Sequence, residues 1–272
     1  MKSIRQPAVA GLFYPSNSSE LRDELREFLS RAEVKLSASN VIGLVSPHAG
    51  YVYSGRTAAF GFRLLEGKNV EKVIIISPSH REYFPGISIY DGDAYETPLG
   101  IVELDKELAA KIIEGSKAVF WGREGHKQEH AVEVQIPFLQ MVLQNFKIVP
   151  VVMGDQAKIF VDDLAFQISK AVDDKTLVVA SSDLSHFYSK KKAYELDSIV
   201  AKHISNFDYE MLQHDLDTRK CEACGGGPIV ALMKAAALLD KRKSVILDRS
   251  DSGDVSGDNS EVVGYLSAAV YS

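Results

Sequence analysis

Residues 73–80 read VIIISPSH. Four consecutive β-branched residues mark a strand buried on both faces, the pattern of a sheet covered by helices on each side. The run then breaks at Ser-Pro-Ser and ends in His80, a residue for which a core strand has no use. Two other stretches repeat the design. VIGLVSPHAGY (41–51) places His48 after an apolar run, and TLVVASSDLSH (176–186) does the same with His186.

Working outward, strand-like runs are expected at 41–46, 73–77, 147–153, 176–181, 243–248 and 261–270. Helical patterns are expected between them, near 54–66, 105–115, 129–144, 157–172, 190–204 and 228–240. An earlier helix is marked by Leu21, Leu25, Phe28 and Leu29 at helical spacing, with Ser18 and Ser19 as its cap candidates. YETPLGIVELD (95–105) reads as a strand entering the next helix, and ISIYDGDAYE (87–96) as an edge excursion. The alternation predicts one α/β domain over residues 1–272, with a largely parallel or mixed central sheet flanked by helices.

Composition narrows the partners. The chain is 46% hydrophobic and 25% charged with a net charge of -6, which gives no electrostatic reason to bind nucleic acid or an anionic membrane. Lys190, Lys191 and Lys192 read as a solvated helix start. No apolar run approaches the length of a membrane span, and the first residues lack the apolar core of a secretion signal. The two cysteines, Cys221 and Cys224, are too few for a disulfide scaffold, and a cytoplasmic protein with reduced thiols is expected.

In open α/β sheets, ligands sit beyond the carboxyl ends of the strands. His48, His80 and His186 all fall there, on turns stiffened by Pro47 and Pro78 and bent at Gly50 and Gly55. Imidazole is a common metal ligand and a general base near neutral pH. Asp183, three residues before His186, is close enough to orient that ring. Glu129, Glu133 and Cys224 are further candidates for a third, anionic group. A thiolate at Cys224 would gain from the start of a helix that Pro228 marks. Gly225, Gly226 and Gly227 have a rival reading as an anion cradle, although no Lys-Ser/Thr follows them. Redox exchange by C-x-x-C and a structural zinc site fit the remaining sequence poorly. His126 and His130 could share one helix face, but HKQEH lacks the glutamate of a zinc protease motif, and Glu129 with His130 reads instead as lining or bracing the pocket. His203 and His214 read as surface residues. DRSDSGDVSGDN (248–259) is either a solvated loop or a lid bringing Asp254 to the pocket, and Arg5, Tyr51 and Tyr53 are further candidates for lining it.

Seven motifs in order carry a resemblance to a known family. They are RQPAVAGLFYP (5–15), PHAGYVYSG (47–55), SPSH (77–80), EHAVEVQIPF (129–138), SSDLSH (181–186), CGGGP (224–228), and SGDVSGD (252–258) with VVGY (262–265). The chain resembles the Memo family, which is related in fold to the class III extradiol ring-cleaving dioxygenases. The resemblance implies a pocket of His48, His80, Asp183, His186 and Cys224. His48 and His80 would be metal ligands and His186 the acid/base, with Asp183 beside it. Cys224 would stand where the dioxygenases place a carboxylate. Thiolate is softer than carboxylate, so Fe(II) or Cu(I) is the expected metal, with Zn as a further option. Two functions follow from the resemblance. One is a metal-dependent oxidoreductase acting on a small substrate; the other is a non-catalytic module that binds copper or iron, or recognises a peptide or small ligand, in the same cleft. Metal-assisted hydrolysis is a third. A homo-oligomer is left open.

Overall fold

The computed structural model describes residues 2–36 and 40–272. Its frame is a nine-stranded mixed sheet among those residues, in the order β10-β12-β2-β9-β3-β8-β4-β7, with β11 paired to β12. The strands are β2 (Val41–Ser46), β3 (Lys72–Pro78), β4 (Ile87–Tyr90), β7 (Val119–Gly122), β8 (Lys147–Met153), β9 (Thr176–Ser181), β10 (His186–Tyr188), β11 (Lys243–Asp251) and β12 (Val262–Tyr271). A second, three-stranded sheet joins β1 (Ile4–Arg5), β5 (Ala94–Thr97) and β6 (Gly100–Glu103).

The central strands β2, β9, β3 and β8 run parallel to one another. Their apolar runs are buried on both faces because alternate residues enter two different cores. Val73 and Ile75 join Leu177 and Val179 on one side, under α1 (Ser18–Arg31), α2 (Tyr51–Arg63) and α4 (Ile136–Val142). Ile74 and Ile76 join Val178 and Ala180 on the other. That face is covered by α3 (Lys106–Ile113), α5 (Lys158–Ala171), α6 (Lys190–Ser205), α7 (Tyr209–Asp217) and α8 (Gly226–Leu238). Among the described residues, no helix is long and apolar enough to cross a membrane.

The α/β reading therefore holds, with local differences. The cap of α1 is Asn17, whose side chain accepts from the backbone N–H groups of Ser19 and Glu20, so Ser18 and Ser19 lie in the first turn. The helix expected near 129–144 shrinks to a 3₁₀ turn (Glu133–Gln135) and α4. The backbone N–H groups of His130 and Ala131 bond to the Glu129 carboxylate, which holds that stretch out of a helix, and Pro137 occupies the first turn of α4. The 87–96 segment divides between the two sheets as β4 and β5, and 95–105 forms the β5–β6 hairpin before α3. The late loop contains α9 (Gly253–Ser256), where Asp254 pairs with Lys190 at 2.5 Å. That carboxylate is engaged by a surface lysine.

The N-terminal segment is strapped to the 126–134 stretch by a buried ion pair. Arg5 donates to the carbonyls of His126 (3.0 Å) and Glu129 and pairs with Glu133. The Glu133 carboxylate also accepts from Ala8 N (2.8 Å), Val9 N (3.0 Å) and the Tyr14 hydroxyl (2.6 Å). Arg5 is thus a fastening of the fold, and so is Tyr51, whose buried hydroxyl donates to the Val134 carbonyl at 2.6 Å. Removing one member of a buried pair strands the other charge, which typically costs about 3–5 kcal/mol. Arg5→Ala should lower the unfolding free energy in urea by about that amount, whereas a loss within the roughly 1 kcal/mol of a surface pair would contradict the assignment.

Candidate metal centre at the carboxyl edge of the sheet

Because β2, β9 and β3 are parallel neighbours, the turns after them open at one edge of the sheet. His48 follows β2, His80 follows β3, and the Ser182–Asp183 turn follows β9. Cys224 arrives from the turn that begins α8, a helix packed on the same three strands. The result is convergence: donor atoms of His48, His80 and Cys224 all lie within 4.8 Å of one another. The Cys224 sulfur is 3.1 Å from His48 Nε2, and the rings of His48 and His80 meet edge-on at 5.0 Å between centroids.

The hydrogen bonds behind the rings fix which nitrogens face the hollow. Gln135 Nε2 must donate, because one of its partners is the Pro47 carbonyl (3.0 Å); its other is Ser181 Oγ (2.8 Å). Ser181 gives its single proton to the Ala131 carbonyl at 2.7 Å. It can therefore only accept from His48 Nδ1, 3.0 Å away, so Nδ1 carries the proton and Nε2 keeps a free lone pair. His80 is set in the same way. Its Nδ1 donates to Glu129 at 2.9 Å and its backbone N–H donates to the same carboxylate at 2.7 Å. Carboxylates placed behind imidazoles in this manner orient metal-ligating histidines. Burial would raise the Glu129 carboxyl, but the hydrogen bonds from the His80 ring and backbone, with the N–H of Ala131, hold it at about 2. It stays ionised, and both its oxygens are occupied.

Three charge effects shape the hollow. His48 is buried, which holds its ring well below the ordinary histidine range, and the neighbouring His80 adds to this. His130 is lowered to about 4 by burial and by His48. The Cys224 thiol is pushed up by burial and by the Asp183 carboxylate, against the sequence expectation that a helix start would favour the thiolate. Without a cation, the S–H proton has the His48 Nε2 lone pair as its acceptor. A cation among the three donors would replace that proton.

Several expectations change in detail. Asp183 accepts from the backbone N–H of His48 at 2.7 Å. The His186 ring is oriented by the Leu184 carbonyl, which accepts from Nδ1 at 2.8 Å, so the ring is not held by Asp183. His186 lines a cleft of ≈ 450 Å³ that Cys224 also borders, together with Gln156, Leu184, Gln213 and Gly227. Of the pair expected to line or brace the pocket, His130 lines it and Glu129 braces it from behind. The His130 ring stacks on His80 at 4.8 Å and lies 5.4 Å from His48, and its donor atoms converge with those of His80 and Glu129. The adjacent Glu-His pair ahead of a polar Gln135 in an apolar run was the available signal.

His126 does not face His130. It is buried, with Nε2 donating to the Ser88 carbonyl (3.3 Å) and Nδ1 accepting from the Tyr95 hydroxyl (2.8 Å). The three glycines do not cradle an anion, since Gly225 N donates to Ser182 Oγ at 2.9 Å and Gly227 N to Gln156 Oε1 at 2.7 Å. A Cβ on Gly225 would sit 2.2 Å from the Ser181 carbonyl oxygen, so close approach explains that residue. His203 is bonded to Asp215 at 2.9 Å and largely covered, whereas His214 is exposed as expected.

Acid should destabilise the metal-free protein. His130 and His126 titrate at about 4 and about 3 when folded, and near 6.5 when unfolded. Between those limits the unfolded chain binds more protons, so stability is complete above about pH 6.5 and drains as the pH falls. The loss is on the order of 3 kcal/mol per ring at full extent. Urea midpoints should therefore fall steadily from pH 7 to pH 4. A midpoint unchanged across that window would contradict the buried neutral rings.

The chain matches known proteins over almost its whole length. The family model described as "Memo-like protein" matches residues 5–269. A MEMO1 family protein of Thermoplasma volcanium is 39% identical over 266 residues, covering 97% of each chain. One from Thermotoga neapolitana is 39% identical over 279 residues, covering 97% of this chain and 99% of its own. One from Methanosarcina mazei is 36% identical over 271 residues, covering 98% and 99%. With a family match that spans almost the whole chain and relatives of equal length, the chain belongs to the Memo family.

Proposed function

We propose that this Memo-family protein is a transition-metal-binding protein that holds one ion on His48, His80 and Cys224. The observation that carries the reading is the convergence of the three donor atoms within 4.8 Å. The Nδ1 protons of both imidazoles are directed away, toward Ser181 and Glu129. Each residue has a distinct part. His48 and His80 each offer Nε2 as a nitrogen donor, their Nδ1 atoms being committed to Ser181 and Glu129. The ionised Glu129 offsets part of the ion's charge from behind His80. Cys224 contributes sulfur, which favours Cu(I), or an iron centre that tolerates thiolate, over hard cations. Bound there, the metal would supply charge and, if redox-active, electrons to a ligand at its open side.

One equivalent of Cu(I) should be retained by the wild type against a chromogenic chelator. Cys224→Ser and His48→Ala should each weaken retention by about tenfold or more, the range in which even supporting residues of metal sites act. A wild type that retains copper no better than the two variants would end this reading.

A second reading, a dioxygenase-like oxidoreductase, is supported by the cleft beside Cys224 and by His186 in its wall. With Nδ1 of His186 committed to Leu184, Nε2 is left to take or give a proton to a small bound molecule. On this reading, anaerobically iron-loaded protein consumes oxygen with a catechol or related phenol, and His186→Ala consumes it at least about 100-fold more slowly. Equal rates with and without His186, or no uptake by the wild type, would leave binding alone.

A further inference from the structure

We infer that Gln156 is a positioning residue for the Cys224 sulfur, acting through the backbone of the glycine turn. The inference rests on the reading of Cys224 as a metal ligand. Gln156 lies in the loop after β8, the fourth parallel strand at the same edge, and is bonded to neither histidine and not to the sulfur itself. Its amide spans the turn from one end to the other. Nε2 donates to the Cys224 carbonyl at 2.8 Å, and Oε1 accepts from the Gly227 N–H at 2.7 Å. Because a carbonyl can only accept and a backbone N–H can only donate, the amide has one orientation.

The turn needs such a brace from outside. A cysteine side chain has a single torsion, so the sulfur position follows from the backbone and one rotamer choice. Gly225 caps α8 and Gly226 and Gly227 are its first residues, glycines that impose little conformational preference of their own where the helix begins. Asp183 meets Cys224 directly, its N–H donating to the sulfur at 3.2 Å and its carbonyl accepting from Cys224 N at 3.2 Å, and two side chains hold the residues that follow. Ser182 accepts from Gly225 N at 2.9 Å from the β9 side, and Gln156 holds the turn from the β8 side. Gly227 is fitted to this contact, since a Cβ there would lie 2.9 Å from Gln156 Cβ and Oε1. Cys224 is thereby set against His48 by strands on both sides of the turn.

Two variants separate the parts. Gln156→Ala removes both bonds. Gln156→Glu retains an acceptor for Gly227 but turns an oxygen toward the Cys224 carbonyl. Cobalt(II) serves as the probe, because thiolate ligation gives a near-ultraviolet charge-transfer band. Both variants should bind cobalt about 10–100-fold more weakly, the usual effect of losing a residue that orients a ligand, with a weaker or shifted thiolate band. A metal-free readout runs alongside: iodoacetamide alkylation of Cys224 in a Cys221→Ser background should be several-fold faster in both variants, with thermal unfolding confirming that they fold. If wild-type cobalt binding depends on Cys224 but the Gln156 variants match it in affinity and spectrum, the positioning role is overturned and the metal site stands. If the wild type binds no cobalt, the ligand reading fails, and alkylation then decides whether Gln156 places the sulfur. Unchanged alkylation would overturn that placement.

Discussion

The site depends first on a constraint of chain direction. Parallel strands β2, β9 and β3 lie side by side, so the loops that leave them must emerge at one edge within about 10 Å of each other, two strand spacings. The strands hold that arrangement because their alternate residues are buried in two separate cores, and a shift of one residue would exchange the two faces. His48 and His80 thus meet at a place determined by the packing of valine and isoleucine far from either ring. The apolar pattern that forms the fold also fixes the spacing of the donors.

A second layer of interactions selects the chemical state of those donors. Behind His48 stands a neutral chain of Ser181, Gln135 and the Ala131 carbonyl; behind His80 stands the ionised Glu129. Both leave Nε2 free, but only the second adds negative charge. A cation would therefore meet one imidazole made more electron-rich by a carboxylate, one held by a hydroxyl, and a sulfur kept protonated until a cation arrives. Burial works against positive charge on the His48 and His130 rings and against negative charge on the Cys224 thiol, and it raises the Asp183 carboxyl as well, while Glu129 stays ionised. That combination suits an ion whose binding releases a proton more than it suits an anionic ligand.

Much of this was legible in the sequence. The buried strands and the histidines after them could be read because long apolar runs stop abruptly at Ser-Pro-His, Ser-Pro-Ser-His and Ser-Ser-Asp. Cys224 was legible through the family motif, while its burial against Asp183, which reverses the expected thiol shift, was not. The stretch from 129 was misread as a helix because its residues have helical periodicity, while in the fold Glu129 captures its own neighbours' N–H groups and breaks the helix. Arg5 stood out only as a pocket-lining candidate, not as a fastening of the fold, and Gln156 gave no local signal. Their partners lie 121 and 68 residues away in the chain, and side-chain bonds to distant backbone leave no periodicity to read. Polar residues inside an apolar run, such as Glu133 and Gln135, were the one hint that this part of the core is wired together.

The most direct test is a crystal soaked with Cu(I) or Co(II) and measured at the absorption edge of the metal. A single anomalous peak should lie about 2.0–2.4 Å from His48 Nε2, His80 Nε2 and Cys224 Sγ, the bond lengths usual for nitrogen and sulfur donors. A peak elsewhere, for example between His203 and Asp215, with none among those three atoms would contradict the proposed centre.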